Sequence, residues 1–502
     1  MTEKTLSNPD AERRLLSGVE GLDAILCGGF PANHLYLLDG EPGTGKTTFA
    51  LRFLLEGAAN GERCLYVTLS ESRAELEGVT MSHGWSLAGI DIYELTAGAA
   101  MADDYTLFHP AEVELQETMR AVLGAVEEHS PVRVVFDSLS EMRLLSRDPL
   151  RFRRQILALK QFFAGRECTV LLLDDRSSPD SDMQLHSLAH GVLALEHLAM
   201  EYGAERRRLR VTKLRGSRFR GGYHDFRINT GGIVVFPRIS TNGVAKDCGN
   251  GELASGDVGL DELTGGGLTR GTSTLITGAA GTGKSTLTAQ YVAAAVARGE
   301  RAVMYLFDER ISTFSLRCAG VGIDLSAPLA DGRLTVVQIE PTEMSPGEFA
   351  HSIVQAVEQD GATLVVIDSI NGYMNAMPAE RLLIIQLHEL LSYLATHGVS
   401  SLLTLVQRGI FGSPVEDAAE VSYLADTVLL LRYFEFHGMV RQAISVVKKR
   451  SGTHERTIRE FRTDAGGIKV GAPLTDFQGV LTGVPNYIGS TDPLLAPPPL
   501  DS

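Results

Sequence analysis

The sequence predicts an α/β protein of two tandem domains, each a mostly parallel sheet flanked by helices around a phosphate-binding loop. Three observations carry this. Gly40-Glu41-Pro42-Gly43-Thr44-Gly45-Lys46-Thr47 and Gly278-Ala279-Ala280-Gly281-Thr282-Gly283-Lys284-Ser285 both fit G-x-x-x-x-G-K-[ST]. The stretches around them, Ser17 to Thr47 and Ser255 to Ser285, align at an offset of 238 residues. Near-continuous apolar strands alternate with helical stretches in both halves, the pattern of strands buried on two faces. At 502 residues the chain has room for two cores of ordinary size. The expected boundaries are 1–245 and 246–485, and 486–502, ending in LLAPPPLDS, is expected to be a disordered tail.

In chain order, a GLD triplet comes first, its Asp lying 23 residues before the loop lysine in each copy (Asp23 and Asp261). LYLLDG (Leu35 to Gly40) is the strand that enters the first loop, and helical sequence follows Lys46. RCLYVTL, VRVVFD and TVLLLDD supply further buried strands at Arg63 to Leu69, Val132 to Asp137 and Thr169 to Asp175. Between them, Met101 to Arg120 reads as a loop turning into an amphipathic helix. A stretch rich in Gly, Asn and Asp, Thr241 to Asp257, reads as the linker. The second half then repeats the strands as TLITG (Thr274 to Gly278), RAVMYLF (Arg301 to Phe307), TLVVID (Thr363 to Asp368) and SLLTLV (Ser401 to Val406).

Each loop places phosphates at a helix N-terminus. The loop residues Gly43, Thr44, Gly45, Lys46, Thr47 and Thr48, and their partners Gly281, Thr282, Gly283, Lys284, Ser285 and Thr286, would wrap the phosphates. The lysines would meet the β/γ oxygens, and the Thr47 and Ser285 hydroxyls would join Mg²⁺. Two such loops in a duplicated domain predict a tandem ATPase using ATP and Mg²⁺, and the spacing excludes a nicotinamide-binding G-x-G-x-x-G arrangement.

Composition narrows the partners. Hydrophobic content of 44% and charged content of 22% are those of a soluble globular protein. No apolar run approaches the ~20 residues of a membrane span, and the N-terminal segment lacks a signal-peptide core, so a cytoplasmic location without membrane contact is expected. A net charge of −16 argues against general nucleic-acid binding without excluding it. The basic run Arg206 to Arg210 is either a nucleic-acid stripe or the solvated end of a strand or hairpin. The five cysteines show no CxxC pair and read as reduced, mostly buried thiols.

An ATPase of this kind needs a strand-end carboxylate for the Mg²⁺ shell. Asp137 and Asp368 fit, 91 and 84 residues after their lysines. It also needs a group to position or deprotonate the attacking oxygen. Glu71, after Ser70, and Asp308-Glu309 stand in the right place, either as catalytic groups or as helix caps.

The whole chain resembles the KaiC family of circadian-clock ATPases and autokinases, over roughly residues 12 to 485. The resemblance rests on GLD…GGG…G-x-x-x-x-GK[ST], on the Asp-Ser after an apolar strand, and on VTKLRGS (Val211 to Ser217) with its counterpart starting VVKKRSG (Val446). It implies tandem RecA-like domains in a homo-oligomer, a double-ring hexamer with ATP at subunit interfaces. It implies catalytic roles for Glu71, Asp308 and Glu309, with Ser70 weakening the first site unless Glu71 compensates. It implies that Lys213 and Arg215, and Lys448 and Arg450, reach the γ-phosphate of the adjacent subunit. Ser422 falls where the family phosphorylates itself, with Tyr423 in place of a Thr, so either a phosphoserine or a structural serine is expected. The implied role is a signalling switch read by an unidentified protein partner; a RecA-like nucleic-acid-dependent ATPase and an ATP-stabilised scaffold without kinase activity are the alternatives.

Overall fold

Buried apolar strands separated by helices build one nine-stranded sheet in each half. The computed structural model describes residues 13–95, 111–146, 148–175, 185–200, 203–239, 251–375, 383–407, 421–480 and 486–488. The expected linker core at 241–250, the segment 101–110, Cys248 and the tail from 489 lie outside them. The chain divides into two units, 1–238 and 239–502.

The first sheet comprises β1 (Leu35–Gly40), β2 (Cys64–Thr68), β3 (Ile90–Glu94), β4 (Arg133–Asp137), β5 (Thr169–Asp175), β6 (Gly191–Leu198), β7 (Arg206–Leu214), β8 (His224–Asn229) and β9 (Gly232–Phe236). Its order is β3-β2-β4-β5-β1-β6-β7-β8-β9. Strands β1 to β6 are mutually parallel, and β7, β8 and β9 extend the sheet in antiparallel pairs. The second sheet comprises β10 (Ser273–Gly278), β11 (Ala302–Leu306), β12 (Leu334–Gln338), β13 (Leu364–Asp368), β14 (Ser400–Val406), β15 (Thr427–Phe436), β16 (Met439–Lys449), β17 (Ile458–Asp464) and β18 (Gly467–Pro473). Its order, β12-β11-β13-β14-β10-β15-β16-β17-β18, reproduces the first position by position. The parallel part was legible from the apolar strands; the antiparallel extension and the edge strands β3 and β12 are additions to it. Asn486–Tyr487 forms a short pair with Phe477–Gln478.

Strand alternation divides each core in two. Tyr36, Leu38, Tyr66, Val135 and Leu171 pack on one face of the first sheet, and Leu37, Leu65, Val67, Val134 and Leu172 on the other. The helix Lys46–Ala59 lies on the first face through Phe49, Ala50, Phe53 and Leu54. It starts at Gly45, whose φ of 98° is in the left-handed region that favours glycine, and it ends where Gly61 turns left-handed. Beneath it runs Arg133, fully buried. Its Nε donates to Glu62 Oε2 at 2.6 Å, and its Nη1 donates to the carbonyls of Leu16 and Phe53, both at 2.8 Å. A Cβ on Gly57 would stand 2.6 Å from Arg133 Cδ, so the arginine and the glycine belong together.

The basic run lies within β7, where its charges are taken up locally. Arg208 pairs with Glu196 and Arg207 with Glu205, while Arg208 and Arg210 stack over Tyr223. Of the described cysteines, Cys64, Cys168 and Cys318 are buried, Cys27 is exposed, and all are free. Among the described residues no helix is long and apolar enough to cross a membrane.

Candidate active site

The phosphate-loop strands β1 and β10 sit inside their sheets, so each loop opens at the carboxyl edge beside the ends of neighbouring parallel strands. This edge is where ligands of open α/β sheets bind. In both loops the lysine folds over the preceding turn. Lys46 Nζ donates to the Gly40 and Glu41 carbonyls at 2.8 and 2.9 Å, and Lys284 Nζ to those of Gly278 and Ala279 at 3.0 and 2.7 Å. Burial lowers the Lys284 ammonium to about 8. Thr44 and Thr282 are fully buried and donate to loop carbonyls at 2.8 Å, so their side chains staple the loops. A Cβ on Gly43 would point into open space, while one on Gly45 would stand 2.5 Å from Ile228 Cδ1.

The expected metal ligands come together in both halves. Thr47 Oγ1 donates to Asp137 Oδ2 at 3.2 Å, and Tyr66 OH donates to the same oxygen at 2.5 Å. Ser285 and Thr404 both hydrogen-bond Asp368. Burial raises both aspartates above the ordinary carboxylate value, against the pull of these hydroxyls. A hydroxyl touching a buried carboxylate beside a bare glycine loop fits a nucleotide phosphate chain with its divalent cation: Thr47 with Asp137, and Ser285 with Asp368, would hold Mg²⁺. The cation would supply neutralisation of phosphate charge.

The remaining carboxylates differ between the halves. Glu71 follows β2 on a turn in which Thr68 Oγ1 donates to the Glu71 carbonyl at 2.7 Å and accepts from its N–H at 2.9 Å. Its Oε2 is buried without a hydrogen-bond partner. Burial, then Asp137 and Glu75, push this carboxyl up to about 7. A group half-protonated near neutrality is suited to accept a proton. Glu309, its counterpart, has both oxygens engaged by Arg317, at 3.2 Å from Nε and 2.8 Å from Nη2. Asp308 is exposed, and its Oδ2 accepts from Ser369 Oγ at 2.5 Å. Ser70 is exposed.

Asp175, at the end of β5, was read from sequence only as part of a strand. In the sheet it pairs in register with Gly40, and its carboxylate stands 2.7 Å from Lys46 Nζ, with Ser140 donating to its other oxygen at 2.9 Å. Val406 occupies this register position in the second half.

The cations lie elsewhere. β7 runs antiparallel to β6, which places Lys213 opposite Val192, and Val192 is opposite Leu37 of β1. Lys448 is likewise level with Leu275 of β10, through Val428. Arg215 and Arg450 lie further toward the amino edge. Lys213 and Lys448 are thus three residues, roughly 10 Å at about 3.3 Å per residue, short of their own loops, and their side chains reach carbonyls that precede β6 and β15, so each cation pair is directed to the opposite edge of the sheet from its own phosphate loop. There Lys213 Nζ donates to the carbonyls of His186 and Ala189 at 2.5 and 2.8 Å, and Arg215 to that of Ser187 at 2.7 Å. Lys448 Nζ donates to the carbonyls of Ser422 and Ala425 at 2.9 and 2.7 Å, and Arg450 to that of Tyr423 at 2.8 Å. Burial, then the adjacent arginine, lowers both lysines. Ser422 therefore stands at the same amino edge as the cations, on the turn they hold.

A family model described as "ATPase: KaiC" matches residues 15–240 and 253–475, one copy per half. The chain belongs to the KaiC family. It is 25% identical over 493 residues to circadian clock protein KaiC3 of Synechocystis sp., covering 96% of each chain. It is 26% identical over 482 residues to the circadian clock oscillator protein KaiC of Acaryochloris marina, covering 95% of this chain and 92% of that one. A third relative, KaiC of Prochlorococcus marinus, is 26% identical over 484 residues, covering 95% and 96%. This is a family of ATP-binding and ATP-hydrolysing proteins, and two tandem RecA-like nucleotide-binding domains account for both sheets. The GLD aspartates, prominent in the repeat, serve the fold: Asp23 and Asp261 accept the N–H of Ser17 and Ser255 at 3.0 and 2.8 Å.

Proposed function

We propose that this KaiC-family chain assembles into a ring, a hexamer by family resemblance, in which each ATP lies between neighbouring chains. The first half hydrolyses ATP with Glu71 as base; the second half transfers phosphate to Ser422 of the adjacent chain, with Asp308 or Glu309 serving the nucleophile. The ring state is then read by a signalling protein partner. One observation carries this reading: in both halves the phosphate loop and the Lys–x–Arg cations occupy opposite edges of one sheet. A cation so placed stabilises transition-state charge only at a neighbour's nucleotide. Ser422 shares that edge, away from the phosphate loop of its own chain. A phosphate there would add about −1.5 to −2 charge next to Asp426, which now pairs with Arg450 at 3.3 Å. Local pairing of the β7 arginines weighs against the nucleic-acid alternative.

Intact-mass and phosphopeptide analysis after incubation with Mg-ATP, beside Ser422→Ala, tests the kinase step. Phosphate on Ser422 that disappears in the variant is the expected result. ATP turnover with no phosphate on the chain would refute it. Sedimentation with and without ATP tests the ring.

A further inference from the structure

We propose that Arg317 is a positioning residue that holds Glu309 out of proton transfer in the second half, and that Val79 at the matching place leaves Glu71 available in the first. This rests on the reading that the Glu71/Glu309 position supplies the base for ATP hydrolysis, and it leaves Asp308 to serve the Ser422 hydroxyl. The helices Arg73–Ser82 and Ile311–Gly320 are both ten residues long, and both follow the strand whose end carries that glutamate. The repeat offset of 238 residues places Val79 opposite Arg317. Val79 is a partly buried side chain packed on the apolar core, so nothing charged reaches Glu71 from this position. Arg317 instead turns its planar fork onto Glu309, Nε to Oε1 at 3.2 Å and Nη2 to Oε2 at 2.8 Å. Its remaining nitrogen, Nη1, donates to Thr286 Oγ1 at 3.0 Å.

The third bond gives the pair its consequence. Thr286 directly follows Ser285 on the helix that begins at the phosphate loop. The arginine thus ties the glutamate to that helix and occupies both oxygens a proton would have to reach. Bidentate arginine–carboxylate pairs are the stronger ones. One duplicated site thereby acquires two tempos: turnover in the first half, retention of ATP in the second.

The test uses the full chain. With the first half silenced by Lys46→Ala, Arg317→Ala should raise kcat for ATP hydrolysis roughly tenfold with KM unchanged, and Arg317→Lys should stay near the parent rate. Adding Glu309→Gln should erase the gain. With the second half silenced by Lys284→Ala, Val79→Arg should lower kcat by a similar factor relative to Val79→Met, which adds bulk without charge. An arginine needed only for folding would give the reverse, a lower kcat and a lower melting temperature in Arg317→Ala. If Arg317→Ala leaves kcat unchanged or lowers it while Glu309→Gln also lowers the parent rate, Glu309 works with the arginine in place and the proposal is wrong, though the base assignment stands. If Glu71→Gln and Glu309→Gln change no rate in any background, the base assignment fails and the proposal falls with it.

Discussion

Glu71→Gln should make the first half both slower and more stable. The wild-type carboxyl is raised from 4.5 to about 7, chiefly by burial. The folded chain therefore holds this proton more tightly than the unfolded chain. Stability that is fully present below about pH 4.5 is lost as pH rises through about 7. The full shift is worth about 3 kcal/mol, and about 2 kcal/mol once the group's partial contact with solvent is allowed for. Glutamine removes the ionisation while keeping the shape. At pH 8 the variant should gain about 2 kcal/mol, which for a domain of this size is roughly 4–8 °C in melting temperature. Calorimetry without nucleotide at pH 5 and pH 8 reads this directly, since the gain must shrink toward the lower pH. Turnover in the Lys284→Ala background should fall at least about a hundredfold, the usual worth of a general base. Equal melting temperatures at pH 8, or unaltered turnover, would refute the argument that burial holds Glu71 in reserve as a proton acceptor.

Three further outcomes follow from the same geometry. Lys213→Ala and Arg215→Ala should each lower first-half turnover by a factor of about 10³ while leaving ATP affinity, measured by equilibrium titration, nearly unchanged. Asp175→Asn frees Lys46 from its 2.7 Å ion pair; with this carboxylate partly exposed, a KM for ATP about threefold to fivefold lower is expected, with no change in a chain whose first loop is disabled. Arg133→Leu leaves the Leu16 and Phe53 carbonyls without their donor and Glu62 with Arg13, at 3.1 Å, as its remaining partner, and should cost about 3 kcal/mol in denaturant unfolding. Adding Glu62→Leu should recover only part of that loss, because the Leu16 and Phe53 carbonyls stay without a donor.

Much of this was legible in the amino-acid sequence. Both phosphate loops, Asp137 and Asp368 could be located because they end apolar runs, and a fully buried parallel strand leaves that signature in the chain. The Lys46–Asp175 pair could not, because it depends on β5 lying beside β1, and sheet order is a matter of long-range pairing. Arg317 went unread in the sequence, because its difference from Val79 acquires meaning only once the fold turns its side chain toward Glu309. The cations Lys213 and Lys448 were implied by the family resemblance of VTKLRGS and VVKKRSG, and their edge of the sheet is set by the direction of β7 and β16. The run Arg206 to Arg210, read as either a nucleic-acid stripe or the solvated end of a strand or hairpin, opens strand β7, with Arg208 paired to the cross-strand Glu196 and stacked on Tyr223.

Placing loop and cations at opposite edges has a genetic corollary for the assembled ring. In the proposed ring, one damaged chain would spoil a site with each neighbour it touches, on one side through its loop and on the other through its cations. Chains lacking Lys46 and chains lacking Arg215 would each be inactive alone in the first half. Mixed together, they would rebuild intact sites wherever an undamaged loop meets an undamaged arginine. Two null alleles of one gene would then complement each other within a single particle.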